Sequence, residues 1–165
     1  MRDIFSIVRF GSFREYLYAV DKVDINIVNH DGATLLTAAI AYDREDMIQD
    51  LLERGIDINL LGEERMTALQ VAIRWKKFAL ARKLIARGAD VKNRDRYGNS
   101  ALWYAVLEGY DEYDLIKLIL DRGGDKQVQN NAGRSPEDLA RQIGDEKLVS
   151  LLGADKSRAI NQDGI

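Results

Sequence analysis

ERMTALQVAIRWKKFALARKLIARGADVK, from Glu64 to Lys92, decides the fold, because it copies DGATLLTAAIAYDREDMIQDLLERGIDIN, from Asp31 to Asn59. Every landmark shifts by 33 positions: Thr34 meets Thr67, Leu36 meets Leu69, Ala39 meets Ala72, Gly55 meets Gly88, and Asp57 meets Asp90. A fixed period of this kind marks a repeat architecture. Read alone, the inner segment Arg74–Arg87 carries six basic residues and no acid, as a helix lying on a membrane or gripping phosphate would. In register it is two antiparallel helices with a turn near Lys76–Phe78. Ala79, Leu80, Leu84 and Ile85 are then committed to the stack, and none is left for lipid.

Working outward, a third copy runs from Tyr97 to Asp125 with Ser100, Leu102, Ala105, Gly123 and Asp125 as landmarks. Its second half is displaced by two extra residues near Gly109–Glu112. A fourth, Ala132–Leu152, supplies Gly133, Ser135, Pro136 and Ala140. The N-terminal Ile4–Asn26 ends in the same D-x-N phrase, Asp24 and Asn26, and reads as a worn fifth copy.

Each landmark has a physical reason. Thr34, Thr67, Ser100 and Ser135 stand where a hydroxyl accepts from the orphan N–H groups of a starting helix, worth about 1 kcal/mol each. Pro136 follows at the first helical position, where its missing donor costs nothing. Ala39, Ala72, Ala105 and Ala140 keep the first helix of each unit slim at its closest contact. Ile48, Leu51 and Leu52, then Leu84 and Ile85, then Ile116, Ile119 and Leu120, form the apolar stripe of the second helix. Gly55, Gly88 and Gly123 end that helix in left-handed backbone. Gly32, Gly98 and Gly133 mark the turn into the next unit; Arg65 replaces glycine in the second copy, so that turn is expected to bend differently.

Composition narrows the function. Apolar residues make up 46% and charged residues 31%, as in a folded soluble domain, and a net charge of −3 does not advertise nucleic-acid binding. Cysteine is absent, which excludes disulfides and thiolate chemistry. No apolar run approaches a membrane span, and MRDIFSIVRFGSF is unlike a secretory signal, so cytoplasmic residence is expected. No metal-ligand spacing, phosphate-cradling loop or nucleophile motif is present. His30 is the lone histidine, on a turn; Asp111, Glu112 and Asp114 sit in the insertion and at a helix start, where acids favour the dipole. The expectation is therefore no catalysis, cofactor, metal or small-molecule substrate.

These landmarks resemble the ankyrin repeat, whose pattern reads roughly D-x-x-G-x-T-P-L-H-x-A-A, a second helix, then G-A-D-V-N. The resemblance runs from about residue 3 to 152. Only Pro136 keeps the proline of T-P-L-H, and its histidine has become Thr37, Gln70, Trp103 and Asp138. It implies an all-α solenoid of four to five helix-turn-helix units with hairpin-like finger turns, with approximate repeats 1–28, 29–61, 62–94, 95–129 and 130–152. Residues 153–165 then read as a polar tail. Glu137 and Asp138 are expected to meet water at one end of the stack, with Asp3, Arg14 and Glu15 doing the same at the other.

The resemblance also implies a concave face, built from the fingers and first helices, that binds a protein partner. On that frame His30, Asp31 and Ala33 lie on the first full finger, Glu63, Glu64 and Met66 on the second, and Arg94, Arg96, Tyr97 and Asn99 on the third. Tyr42, Arg74, Trp75 and Glu108 fall near the ends of the first helices. Tyr42 and Trp75 occupy the same repeat position, and either project from this face as interface aromatics or fold over a neighbouring repeat. Trp103 is expected to pack between repeats, and Tyr110 and Tyr113 to sit on the insertion. Small stand-alone members of the family include bacterial immunity proteins that neutralise a co-encoded toxin, which makes a toxin or inhibited enzyme the sharper form of the partner. A structural or assembly scaffold is the alternative.

Charge is segregated by repeat. The unit Asp43–Glu64 is mainly acidic, Arg74–Arg96 strongly basic, and Glu108–Asp125 acidic again. Stacking should bring Asp50 close to Lys83, so the first reading is a set of surface pairs between repeats. The second is a field that steers a charged partner, with Arg94 and Arg96 as the better contacts. Nucleic-acid binding through the basic unit is a third, and the acidic flanks argue against it.

Overall fold

The computed structural model describes residues 3–153. Ten α-helices occupy this span: α1 Ile4–Phe10, α2 Phe13–Val20, α3 Leu35–Ala41, α4 Glu45–Glu53, α5 Ala68–Arg74, α6 Phe78–Ala86, α7 Ala101–Glu108, α8 Tyr113–Asp121, α9 Pro136–Ile143 and α10 Glu146–Leu151. Each odd helix turns back into the even helix that follows, and the hairpins stack in chain order. The row α1, α3, α5, α7, α9 packs more closely than the outer row of even helices. None of the described helices is long and apolar enough to cross a membrane. The polar stretch after Leu152 lies, from residue 154 onward, outside the described residues.

The close row is made possible by small side chains. Ala39, Ala72, Ala105 and Ala140 are each at 0% exposure, flanked by buried Leu36, Leu69, Leu102 and Leu139. On the outer row Met47, Ile48, Leu51 and Leu52 of α4, Ala81, Leu84 and Ile85 of α6, and Leu115, Ile116 and Ile119 of α8 face inward. Burial of the leucines, isoleucines and Met47, at roughly 1.5–3 kcal/mol each, drives the stacking, because no single hairpin can hide its own stripe. Two expectations need correction. Ala79, expected in the stack, is exposed on α6. Glu137, expected to face water, is buried to 7% exposure and bonded to Arg141 one turn on. The pair neutralises the carboxylate, which is how it tolerates burial.

Polar groups sew one hairpin to the next. Arg87 and Arg122, at equivalent positions after the second helix, reach back to the carbonyls of Leu52 and Ile85, each at 3.0 Å. A guanidinium there donates to carbonyls at a helix C-terminus that have no N–H donor within their own helix. The D-x-N phrase works similarly. Asp57 accepts from the Asn59 N–H at 2.9 Å, and the Asn59 side chain accepts from the Asp90 N–H of the next unit at 2.8 Å. Asn26 does the same for Asp57 at 2.8 Å.

Charge pairing differs in detail from the simple register. Asp50 does not meet Lys83: it is held by Arg54 one turn on and by the Tyr16 hydroxyl at 2.8 Å, while the Lys83 ammonium takes the Gln49 side chain. Burial and that carboxylate together push the Tyr16 phenol far above its usual range. Pairs between repeats do form at Lys77–Asp43, Arg82–Glu112 and Arg54–Asp21.

Caps divide the stack chemically. Thr34 with Thr37, Thr67 with Gln70, and Ser100 close the inner helices α3, α5 and α7 with neutral groups. The ends use carboxylates: Asp3 caps α1, Asp138 completes the box of Ser135 on α9, and Asp145 caps α10. All three are held below the ordinary value of 3.8, chiefly by the hydroxyls of Ser6, Ser135 and Tyr113 respectively. Above pH 3.8 these caps contribute fully; below it the unfolded chain takes up protons first and the contribution fades. Amide-exchange protection factors at about pH 3, compared with neutral pH, are therefore expected to fall in α1, α9 and α10 before α3, α5 and α7. Equal loss along the stack would contradict this.

Candidate functional site

The first helices end on aromatics. Tyr42 and Trp75 are the C-caps of α3 and α5, and the next residues, Asp43 and Lys76, are left-handed with φ of 56° and 57°. That backbone reverses the chain sharply and leaves the rings outside the alanine row. Tyr42 is 42% exposed and Trp75 58%, so neither is sealed under a neighbouring repeat. In the third repeat the left-handed residue is Asp111, and α7 runs on to Glu108 where α3 and α5 have already ended. The insertion therefore falls just before Asp111 and leaves Tyr110 projecting into solvent.

A groove of about 890 Å³ lies along this face, walled by α1, α3, α5 and the first two fingers. It gathers nine of the residues expected to contact a partner: His30, Asp31, Tyr42, Glu63, Glu64, Met66, Arg74, Trp75 and Glu108. Met66 belongs to its floor rather than a finger tip, since it is buried to 4% exposure and its sulfur lies 3.6 Å from Arg74 Nη1. Arg74 also lies 3.6 Å from Glu64, and Glu108 lies 3.6 Å from Lys76. His30 is highly exposed, with Nε2 3.1 Å from Asp31.

The third finger lies apart. Arg94, Arg96, Tyr97 and Asn99 do not line this groove. Arg94 is tied to the carbonyls of Gly98 at 3.1 Å and Gln129 at 2.6 Å. Asn99 accepts from Gln70 through its carbonyl at 2.9 Å and from Asn130 through its side chain, also at 2.9 Å. The Tyr97 hydroxyl donates to Glu64 at 2.8 Å, which raises its phenol pKa. These residues couple neighbouring fingers. Arg96 alone reaches another concavity, a shallow notch it shares with Asp31, Glu63, Glu64 and Arg65.

Finger shape depends on one position not singled out in the sequence. Asn29, Asp95 and Asn130 each place a side-chain oxygen on two N–H groups of the finger, those two and four residues on. The second finger has Gly62 there and loses that brace. It forms a 3₁₀ turn, Glu63–Arg65, with Glu64 and Arg65 both left-handed at φ 55° and 62°. The bend expected from Arg65 is present, and Gly62 shares its cause. Asp95 additionally accepts from the Tyr104 hydroxyl at 2.6 Å; burial, then this bond, pushes that phenol up to about 12.

The six basic residues of Arg74–Arg87 are all engaged within the chain. Arg74 has Glu64, Lys76 has Glu108, Lys77 has Asp43, Arg82 has Glu112, Lys83 has Gln49, and Arg87 has the Leu52 carbonyl. Trp103 is buried as expected, with Arg134 over its ring at 5.7 Å. Tyr113, next to the insertion, donates to Asp145 at 2.6 Å.

Sequence reasoning missed the contribution of α1. Phe5, Arg9 and Phe10 wall one end of the groove, and the Arg9 guanidinium stands 4.7 Å from the Phe10 centroid and 5.2 Å from that of Tyr42. A signal was available. Ile4, Ile7 and Val8 fill the core face of α1 at helical spacing, which leaves Phe5 and Phe10 on other faces.

The family model for ankyrin repeats, in three copies, matches residues 5–95 and again 59–130. Comparison with curated proteins returns no match.

The second finger yields a paired prediction. A non-glycine residue in left-handed backbone costs about 1–2 kcal/mol, partly offset by its smaller entropy loss on folding. Arg65→Gly is expected to leave the fold as stable or stabilise it by up to about 1 kcal/mol. Gly98→Ala, at the equivalent position with φ 79°, is expected to destabilise, because its Cβ would also crowd Asn131 and Arg94. Thermal denaturation of both variants checks the ordering, and the reverse order would contradict it.

Proposed function

We propose that this chain, which belongs to the ankyrin-repeat family, is a binding module that holds a protein partner in the groove between its first helices and first two fingers. Members of the family are generally protein–protein interaction modules and are typically not enzymes. One observation carries the choice of surface: Tyr42 and Trp75, at the same position of successive repeats, both expose their rings on that groove. Large aromatics held by rigid backbone and left uncovered are the side chains that dominate protein interfaces, at roughly 2 kcal/mol or more each when truncated. Commitment of the basic unit to internal partners weakens the nucleic-acid reading, because such binding needs cations free to replace counterions.

Immobilised protein and a Tyr42→Ala/Trp75→Ala variant, exposed to the same cell extract, test the surface. The variant is expected to hold its captured partner at least about 30-fold more weakly, a loss of roughly 2 kcal/mol or more. Its melting temperature should change little, since exposed side chains contribute within about 0.5 kcal/mol to folding. Equal retention by both proteins would overturn the assignment.

A further inference from the structure

The groove is polar in a particular sense. Asp3, Asp31, Glu63, Glu64 and Glu108 line it against the guanidiniums of Arg9 and Arg74 only. Two of these carboxylates, Glu64 and Glu108, already have a cation at 3.6 Å, from Arg74 and Lys76. Among the described residues Asp31 is ion-paired only with His30 and Glu63 with none, although Arg65 and Arg96 line the shallow notch beside them. Asp31 and Glu63 belong to adjoining fingers, and the Glu63 backbone comes so near Gly32 that a side chain there would touch it. Acids gathered in one recess make its potential more negative, and a low-dielectric wall on one side strengthens the field.

The aromatic wall has the matching chemistry. Arg9 lies over both Phe10 and Tyr42, so this chain already shows a guanidinium held on the groove's rings. Trp75, the ring whose face attracts cations best, is further along the same groove and more exposed than Tyr42. A cation stacked there would have the finger carboxylates within the same recess. An acidic ligand would instead meet an excess of like charge.

We propose that the occupant of the groove is a basic segment of a protein partner, with arginine or lysine side chains stacked on Trp75 and paired with Asp31 and Glu63. This rests on the protein-binding reading above and adds the partner's chemistry to it. The acids of the groove then give specificity and association rate, while the rings supply the anchor.

Three fluorescein-labelled peptides test it: alternating arginine–glycine, alternating glutamate–glycine, and glycine–serine, each added to the whole chain and followed by anisotropy and amide chemical shifts. The arginine–glycine peptide is expected to bind, to shift the Trp75 indole and the amides of Asp31 and Glu63, and to weaken with added salt. Asp31→Asn/Glu63→Gln should cost about 5–10-fold in affinity, whereas Glu53→Gln/Asp121→Asn, which removes the same charge from exposed ends of α4 and α8, should cost nothing measurable. If the glutamate–glycine peptide moves the groove resonances instead, the partner chemistry is overturned while the groove remains the binding surface. If the arginine–glycine peptide shifts only the outer helices, or both charge variants weaken it equally, the proposal fails. Absence of binding by all three peptides also overturns it.

Discussion

Ala39, Ala72, Ala105 and Ala140 form a fully buried row along the middle of the first helices, each presenting one methyl to its neighbours. Because these side chains are short, the first helices approach more closely than the outer ones, which meet through leucine and isoleucine. Unequal spacing of two parallel rows bends the stack toward the close row. The bend turns a flat array of helix ends and fingers into a recess, so the groove is a consequence of packing before it is a feature of any side chain in it.

Hydrogen bonds and charges then fix the register that packing permits. Arg87 and Arg122 close the carbonyl ends of the preceding hairpin, and Asn26 and Asn59 stitch each D-x-N phrase to the next. Fingers one, three and four are braced by Asn29, Asp95 and Asn130; the second, at the mouth of the groove, lacks the brace and holds two non-glycine residues in left-handed backbone. Departure from the local rule at a single place, beside the exposed rings, fits a surface shaped for contact rather than for stability.

Much of this was legible in the sequence. The 33-residue phase located the caps, the alanine row, the left-handed glycines and the reversal at Lys76, since each is dictated by local backbone chemistry that repeats. The paired placement of Tyr42 and Trp75 also followed from phase, although whether the rings projected did not. What escaped depended on side-chain reach. Lys83 finds Gln49 because Asp50 is taken by Arg54 and Tyr16, a competition no one-dimensional register displays. Glu137 is buried because Arg141 follows it by one turn. Arg94, Tyr97 and Asn99, placed on the third finger by the resemblance, also bond neighbouring fingers, which phase alone does not reveal. Phe5, Arg9 and Phe10 were overlooked because the first copy is worn and its helical phase differs from that of the others.

The most direct test of the close-row account is chemical unfolding of Ala72→Leu beside Ala79→Leu, the same added volume in a buried alanine of α5 and an exposed one of α6. Overpacking predicts a loss of about 1–3 kcal/mol for Ala72→Leu, and a change within about 0.5 kcal/mol for Ala79→Leu. Equal stability of the two variants would show that the first helices have room to spare, and the account of how the groove arises would be wrong.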